Sequence, residues 1–204
     1  MESRQLLVAT SNKGKFKEIC EILGHLPYKI LALPDLGLTG DYEETGETFE
    51  ENALGKAKYY AEKSGIMTIA EDSGILVEAL KGELGVKTRR WGKGENANDE
   101  EWIEHFLEVM TQFPGAKQRK ASFVCCSALV IGDGESFVFE GRTDGVITVG
   151  LEASIQHGLP LSSCFIPEGF EKVYAALAID EKNRVSHRGK AMQALSDFLM
   201  ARKD

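Results

Sequence analysis

Apolar and polar positions along this chain switch between two periods, and the switches predict an α/β order of elements. Residues 5 to 10 (QLLVAT) read as a short buried strand, followed by the polar turn SNKGK. Residues 15 to 24 carry apolar side chains at Phe16, Ile19, Cys20, Ile22 and Leu23, the spacing of an amphipathic helix ending at Gly24. Residues 28 to 33 (YKILAL) form a second strand closed by Pro34, which completes a strand–helix–strand unit. Residues 35 to 46 are an acidic, glycine-bearing loop. Thr48 to Ser64 is the clearest helix, because Thr48 with Glu51 three positions on matches a capping box.

Ile66 to Ala70 is a short apolar strand that runs into Glu-Asp-Ser-Gly, and 75 to 80 continues as strand or short helix. Residues 81 to 98, rich in Gly, Lys and Asn, read as a loop. Asp99 to Gln112 is a helix with Trp102, Ile103, Phe106, Leu107 and Met110 on one face. Strands at 121 to 131 and 136 to 140 flank the turn GDGE, the pattern of a hairpin. A further strand is predicted at 146 to 149, irregular chain at 150 to 172, and a final helix from Ala191 to Arg202 reached through Val185 to Arg188.

Composition narrows the classes of function. With 204 residues, 43% hydrophobic and 27% charged, the chain is ordinary globular protein and long enough for a stable core. The formal net charge of -8 argues against an extended basic face for nucleic acid. It leaves room for a local basic pocket, and two basic clusters stand at 81 to 93 and 182 to 190. No run reaches the roughly 18 apolar residues of a membrane helix, and the N-terminus lacks the apolar run of a signal peptide, so a cytoplasmic location is expected. Cys20, Cys125, Cys126 and Cys164 make no C-x-x-C pair and read as free thiols.

Four motifs carry chemistry. Thr10-Ser11-Asn12-Lys13-Gly14-Lys15 sits between a strand and a helix, where backbone N–H groups and lysines can meet an anion; it lacks Walker-loop spacing. Glu43-Glu44-Thr45-Gly46 precedes a helix on which Asn52 and Lys56 share a face; adjacent carboxylates in a loop suit a hard cation such as magnesium. Glu71-Asp72-Ser73-Gly74 lies where a strand of an α/β sheet ends, the usual place for a ligand. Ser186-His187-Arg188-Gly189 offers a rigid donor fork and a tunable imidazole, and Ser186 also suits a helix cap.

In order, A-T-S-N-K-G-K, E-E-T-G-E-T-F-E-E-N-A-L-G-K-A, A-E-D-S-G-I-L-V-E-A-L and E-K-N-R-V-S-H-R resemble the inosine triphosphate pyrophosphatases, the non-standard purine nucleoside triphosphate pyrophosphatases, over nearly the whole chain. The resemblance implies a single domain, 1 to 204, with an elongated mixed α/β sheet and two lobes around a central nucleotide cleft, and a homodimer. It implies magnesium-dependent hydrolysis of ITP, dITP or XTP to monophosphate and pyrophosphate. Thr10, Asn12, Lys15 and Lys56 then match triphosphate contacts, Glu44 and Asp72 the magnesium carboxylates, and Asp72 the acceptor of the water proton. Ser73 and Arg90 match substrate contacts, and Lys182, His187 and Arg188 the groups that reach the base.

One segment departs from that pattern. The family carries G-F-G-[YW]-D-P-x-F; here the stretch is Gly158-Leu159-Pro160-Leu161-Ser162-Ser163-Cys164-Phe165. Leu159 stands for the base-stacking aromatic and Ser162 for the aspartate. Three readings follow: a changed or broadened base preference, a displaced loop with Phe165 or Phe170 supplying the stack, or a nucleotide-binding relative with little catalysis.

Overall fold

The computed structural model describes residues 4–39, 42–94, 96–132 and 134–202. A six-stranded mixed sheet has the order β2-β1-β3-β4-β5-β6, with β1 at Arg4–Val8, β2 at Tyr28–Ala32, β3 at Thr68–Val77, β4 at Lys120–Ile131, β5 at Glu135–Ile147 and β6 at Phe165–Pro167. β1 pairs in parallel with β2 and β3, and the remaining neighbours are antiparallel. Five helices are described: α1 (Lys13–Leu23), α2 (Phe49–Ser64), α3 (Asp99–Met110), α4 (Ile179–Val185) and α5 (His187–Ala201). The α/β class and mixed sheet are as expected from the sequence.

Side-chain alternation along β3 decides which helix covers which face. Ile69 packs with Ile19 and Leu23 of α1 and Met192 and Leu195 of α5. Ala70, on the opposite face, packs with Ala53, Ala57 and Tyr60 of α2. A third cluster joins Ile75 and Val77 to Trp102, Ile103, Phe106 and Met110 of α3.

Length differences between neighbours create the opening that matters. β1 ends at Val8 and meets β3 only at Leu7–Thr68 and Val8–Ile69. β3 runs on to Val77, so from Ala70 onward β4 is its only strand neighbour among the described residues. The exposed edge is partly closed by a 3-10 turn at Gly85–Arg90, where Ile75 N–H donates to Thr88 Oγ1 at 3.1 Å.

Several boundaries differ from expectation. Glu71 to Gly74 do not end a strand; they lie inside β3 and level with the end of β1. β5 is one strand of 13 residues where two were expected, and 81–98 contains the 3-10 turn. The irregular stretch 150–172 holds β6, and α4 was not foreseen. α5 starts four residues earlier than Ala191, capped by Ser186 Oγ accepting from Gly189 N–H at 3.0 Å. Asp133 of the hairpin turn lies outside the described residues.

Candidate active site

A cleft of about 920 Å³ opens past the end of β1. Thr10, Asn12, Lys15, Glu44, Lys56, Asp72, Ser73, Arg90, Leu159, Ser162, Lys182, His187 and Arg188 all line it. These thirteen positions therefore converge on one cavity, although the contacts their side chains make differ in kind.

The two acids of β3 point to opposite faces and do different things. Glu71, 1% exposed, is enclosed by cations. Its carboxylate meets Lys15 Nζ at 2.7 Å and Arg188 Nε at 3.1 Å, and accepts from the Cys125 thiol at 3.0 Å. Burial opposes its charge, but Arg188 and Lys15 outweigh burial and hold it well below the usual carboxylate range. Burial likewise opposes charge on Lys15, and Glu71 reverses that, leaving its pKa raised. Glu71 thus fixes two cations beside the cleft.

Asp72 faces α2. Asn52 Nδ2 donates to its Oδ2 at 2.9 Å, and Ser73 N–H donates to Oδ1 at 2.8 Å. Burial, then the negative charge of Glu44, push Asp72 up to about 6, while Lys15, Asn52 and Lys56 pull the other way. Asn52 also accepts from Gly46 N–H at 2.7 Å, which ties the acidic loop to Asp72. Glu44 is paired with Lys56 Nζ, and its backbone carbonyl accepts from Arg90 at 2.8 Å. Helix α2 places Asn52 and Lys56 on one face because they are one turn apart, and its N-terminus is fixed by the Thr48–Glu51 capping box.

The cationic side is a chain of buried pairs. Arg188, 2% exposed, contacts Glu71, Glu18 and Ser73 Oγ, the last at 3.1 Å. Glu18 also meets Lys182 Nζ at 2.5 Å, and Lys182 donates to Gln156 Oε1 at 2.9 Å. Burial works against ionisation of Glu18, but Arg188 and Lys182 depress its pKa. His187 stacks on Phe123 with ring centres 4.6 Å apart and planes 14° apart. Burial, reinforced by Arg188, holds His187 well below the usual imidazole range, so it is neutral.

Asn12 has a role the motif did not disclose. Its Oδ1 caps α1 by accepting from Lys15 N–H at 3.0 Å, and its Nδ2 donates to Gly158 carbonyl at 3.0 Å. The phosphate-type turn is thus joined to the divergent loop. Within that loop Pro160–Ser163 forms a 3-10 turn with Ser162 buried. Phe165 is fully buried against Phe123, and Phe170 lines a different groove, so neither replaces the aromatic missing at Leu159. Tyr42, Tyr60, Trp102, Phe123 and Tyr174 are the aromatic residues on the cleft wall.

With this geometry in place, the relatives can be compared. The family model described as the Ham1 family matches residues 6–198. The chain belongs to the Ham1 family. Within it, the chain is similar to a dITP/XTP pyrophosphatase of Geobacter sulfurreducens, 40% identical with 96% of each chain covered. A dITP/XTP pyrophosphatase of Bacillus subtilis is 38% identical, covering 97% of this chain and 98% of its own. The solved HAM1 protein from Coxiella burnetii superposes with a TM-score of 0.82 at 32% identity, covering 98% of this chain and 100% of that one. The Ham1 fold is therefore shared along nearly the whole length.

Sequence reasoning named Lys15, Asp72 and Arg188 and placed Asn52 on the Lys56 face of α2, without its bond to Asp72, but missed Glu18 and Asp99. Glu18 stands one turn after Lys15 on α1, and that helical spacing would have found it. Among the described residues no helix is long and apolar enough to cross a membrane.

Proposed function

We propose that this chain hydrolyses non-standard purine nucleoside triphosphates, ITP, dITP and XTP, to the monophosphate and pyrophosphate. The observation that carries the reading is the division of labour on β3: a paired Glu71 that fixes cations, beside an Asp72 kept at about 6 within the same cleft. Triphosphate hydrolysis asks for positioning, charge neutralisation and an oriented water, with little covalent work by the protein. In the reaction the oxygen of water bonds to the α-phosphorus, and the α–β bridging oxygen leaves with pyrophosphate. Asp72 takes the water proton on a carboxylate oxygen. Lys15 and Lys56 stand on either side and offset charge on the departing phosphates.

Two carboxylates whose mutual repulsion raises Asp72 suit a hard, oxygen-seeking cation, so Glu44 and Asp72 would hold magnesium. Bound magnesium supplies phosphate neutralisation and a more acidic water. Thr10, Asn12, Ser73 and Arg90 order the backbone around the triphosphate. Lys182, His187 and Arg188 face the base end, where Leu159 gives apolar contact and Ser162 no charged acceptor, which leaves little angular selection. A broadened base preference follows from that wall. We further read the protein as a homodimer with one two-lobed domain per chain.

The deciding experiment assays ITP, dITP, XTP, ATP and GTP with magnesium, following phosphate with and without added inorganic pyrophosphatase. Phosphate that appears only with the added enzyme supports attack at the α-phosphorus. Orthophosphate as the primary product refutes it.

A further inference from the structure

Asp99 belongs to none of the motifs, yet its carboxylate has an unusual position. It is the first residue of α3, where an acid is ordinarily a solvated group favoured by the helix dipole. The helix does not need it as a cap. Asn98 Oδ1 accepts from Glu101 N–H at 2.8 Å, and Glu101 Oε2 accepts from Asn98 N–H at 3.0 Å, a complete capping box. The Asp99 side chain is 11% exposed, and its Oδ2 accepts from Gly158 N–H at 2.6 Å, across 59 residues of chain. The His157 ring, 87% exposed, lies 3.4 Å from the same oxygen.

Gly158 is thereby held from both sides. Asp99 takes its N–H, and Asn12 donates to its carbonyl at 3.0 Å while capping α1. The fit is close enough to require glycine twice. Gly158 has φ +75°, and a Cβ there would stand 2.6 Å from Asn12 Oδ1. A Cβ on Gly14 would stand 2.7 Å from His157 carbonyl oxygen and 3.2 Å from Leu159 Cγ. Helix α3, the loop and the turn that starts α1 therefore make one clamped unit, and Leu159 follows directly on the clamp.

We propose that Asp99 is a positioning residue for base selection: by anchoring Gly158 it sets where Leu159 to Ser162 stand relative to the triphosphate turn. The inference rests on the function proposed above. Asp99 lines the same cleft beside His157, Gly158 and Leu159; in this assignment it acts through the Gly158 amide and not by a contact of its own with phosphate or base. A charge-assisted hydrogen bond to a part-buried amide is among the stronger polar contacts, and its loss frees the loop while the side chains of Lys15, Lys56 and Asp72 keep their own partners.

The test compares wild type, Asp99→Ala and Asp99→Asn. Three quantities are measured: kcat/KM for ITP, XTP and ATP, competitive inhibition by inorganic tripolyphosphate, and amide hydrogen exchange. In Asp99→Ala the ratio of kcat/KM for the preferred purine over ATP falls about tenfold, through KM more than kcat; tenfold corresponds to about 1.4 kcal/mol. Tripolyphosphate inhibition stays unchanged, because that ligand has no base. The Gly158 amide exchanges faster while amides in the middle of α1 do not. Asp99→Asn, which keeps an acceptor oxygen and the same shape, recovers most of the ratio.

An unchanged ratio with an unchanged Gly158 amide would overturn the inference. So would tripolyphosphate inhibition that weakens in step with KM, since Asp99 would then serve the whole cleft. Failure of Asn to recover the ratio would also overturn it. Wild type that releases pyrophosphate from none of the triphosphates defeats the functional reading instead, and the exchange of Gly158 still reports the clamp.

Discussion

Replacing Glu71 by Gln tests the buried charge network most directly. The change keeps the volume and one acceptor oxygen but removes the charge that faces Lys15 at 2.7 Å and Arg188 at 3.1 Å. Arg188 keeps Glu18, while Lys15 loses its carboxylate. Breaking a buried pair from one side costs about 3–5 kcal/mol, because the remaining charge stays desolvated. Gln retains part of the hydrogen bonding, so about 3 kcal/mol is expected. For a chain of this length that lowers Tm by roughly 6–12 °C. Urea unfolding followed by circular dichroism gives the free energy directly. Arg188→Met alone should cost a similar amount. The double variant should cost less than the sum by about 2 kcal/mol, since each single change strands what the other removes. A Glu71→Gln protein within about 1 kcal/mol of wild type, with additive effects in the cycle, would refute the network as a determinant of stability.

Asp72→Asn should leave the fold intact and reduce turnover by about a thousandfold or more, because an amide accepts no proton from water; pyrophosphate release measured beside circular dichroism checks both. Stability should fall on acidification. His187 is depressed in the fold, so the unfolded chain gains protons first as pH drops through about 6.5; Asp72, raised to about 6, takes its proton first in the fold and offsets part of that loss between about pH 6 and 4, and Glu18 and Glu71 add to the loss below about 4.5. Urea midpoints at pH 8, 6 and 4 that fail to decrease in that order would contradict the sign. Gly141→Ala should destabilise by about 1–3 kcal/mol and depress activity, because a Cβ there runs into the His187 carbonyl and Ala191 N–H of α5; a fully active, equally stable variant would show that α5 does not need that approach.

The same glycine explains part of what the sequence concealed. Gly141-Arg142-Thr143-Asp144-Gly145 has the composition of a turn, yet it is the middle of β5. Gly141 admits α5, and Gly145 admits β6 against Ile166 and Phe165; both are close approaches of backbone, which glycine in a strand often marks. Glu71 to Gly74 read as a strand end because polar residues interrupt the apolar run. They continue as strand because Lys15, Arg188 and Asn52 satisfy the acids from both faces. Helix α1, α2, α3 and the β4–β5 hairpin were legible from period and caps, since each buries an amphipathic face. Residues of the cleft were legible where they fell in motifs. Long-range partners such as Asp99 with Gly158 leave no periodic trace, because they depend on how two distant segments meet.

The alternation of β3 also limits how this gene can change length. Glu71 and Asp72 are neighbours in sequence, separated by the thickness of the sheet, and each is matched to a different helix layer. One codon gained or lost between Ile69 and Asp72 would turn each side chain through to the opposite face. Loss of one would bring Glu71 to the place of Ala70, against Ala53, Ala57 and Tyr60 of α2, and gain of one would set Ala70 before Lys15 and Arg188. Insertions should therefore collect at solvent-facing sites such as Gly82 and the β4–β5 turn, while the spacing from Ile69 to Gly74 stays fixed across variants that still fold.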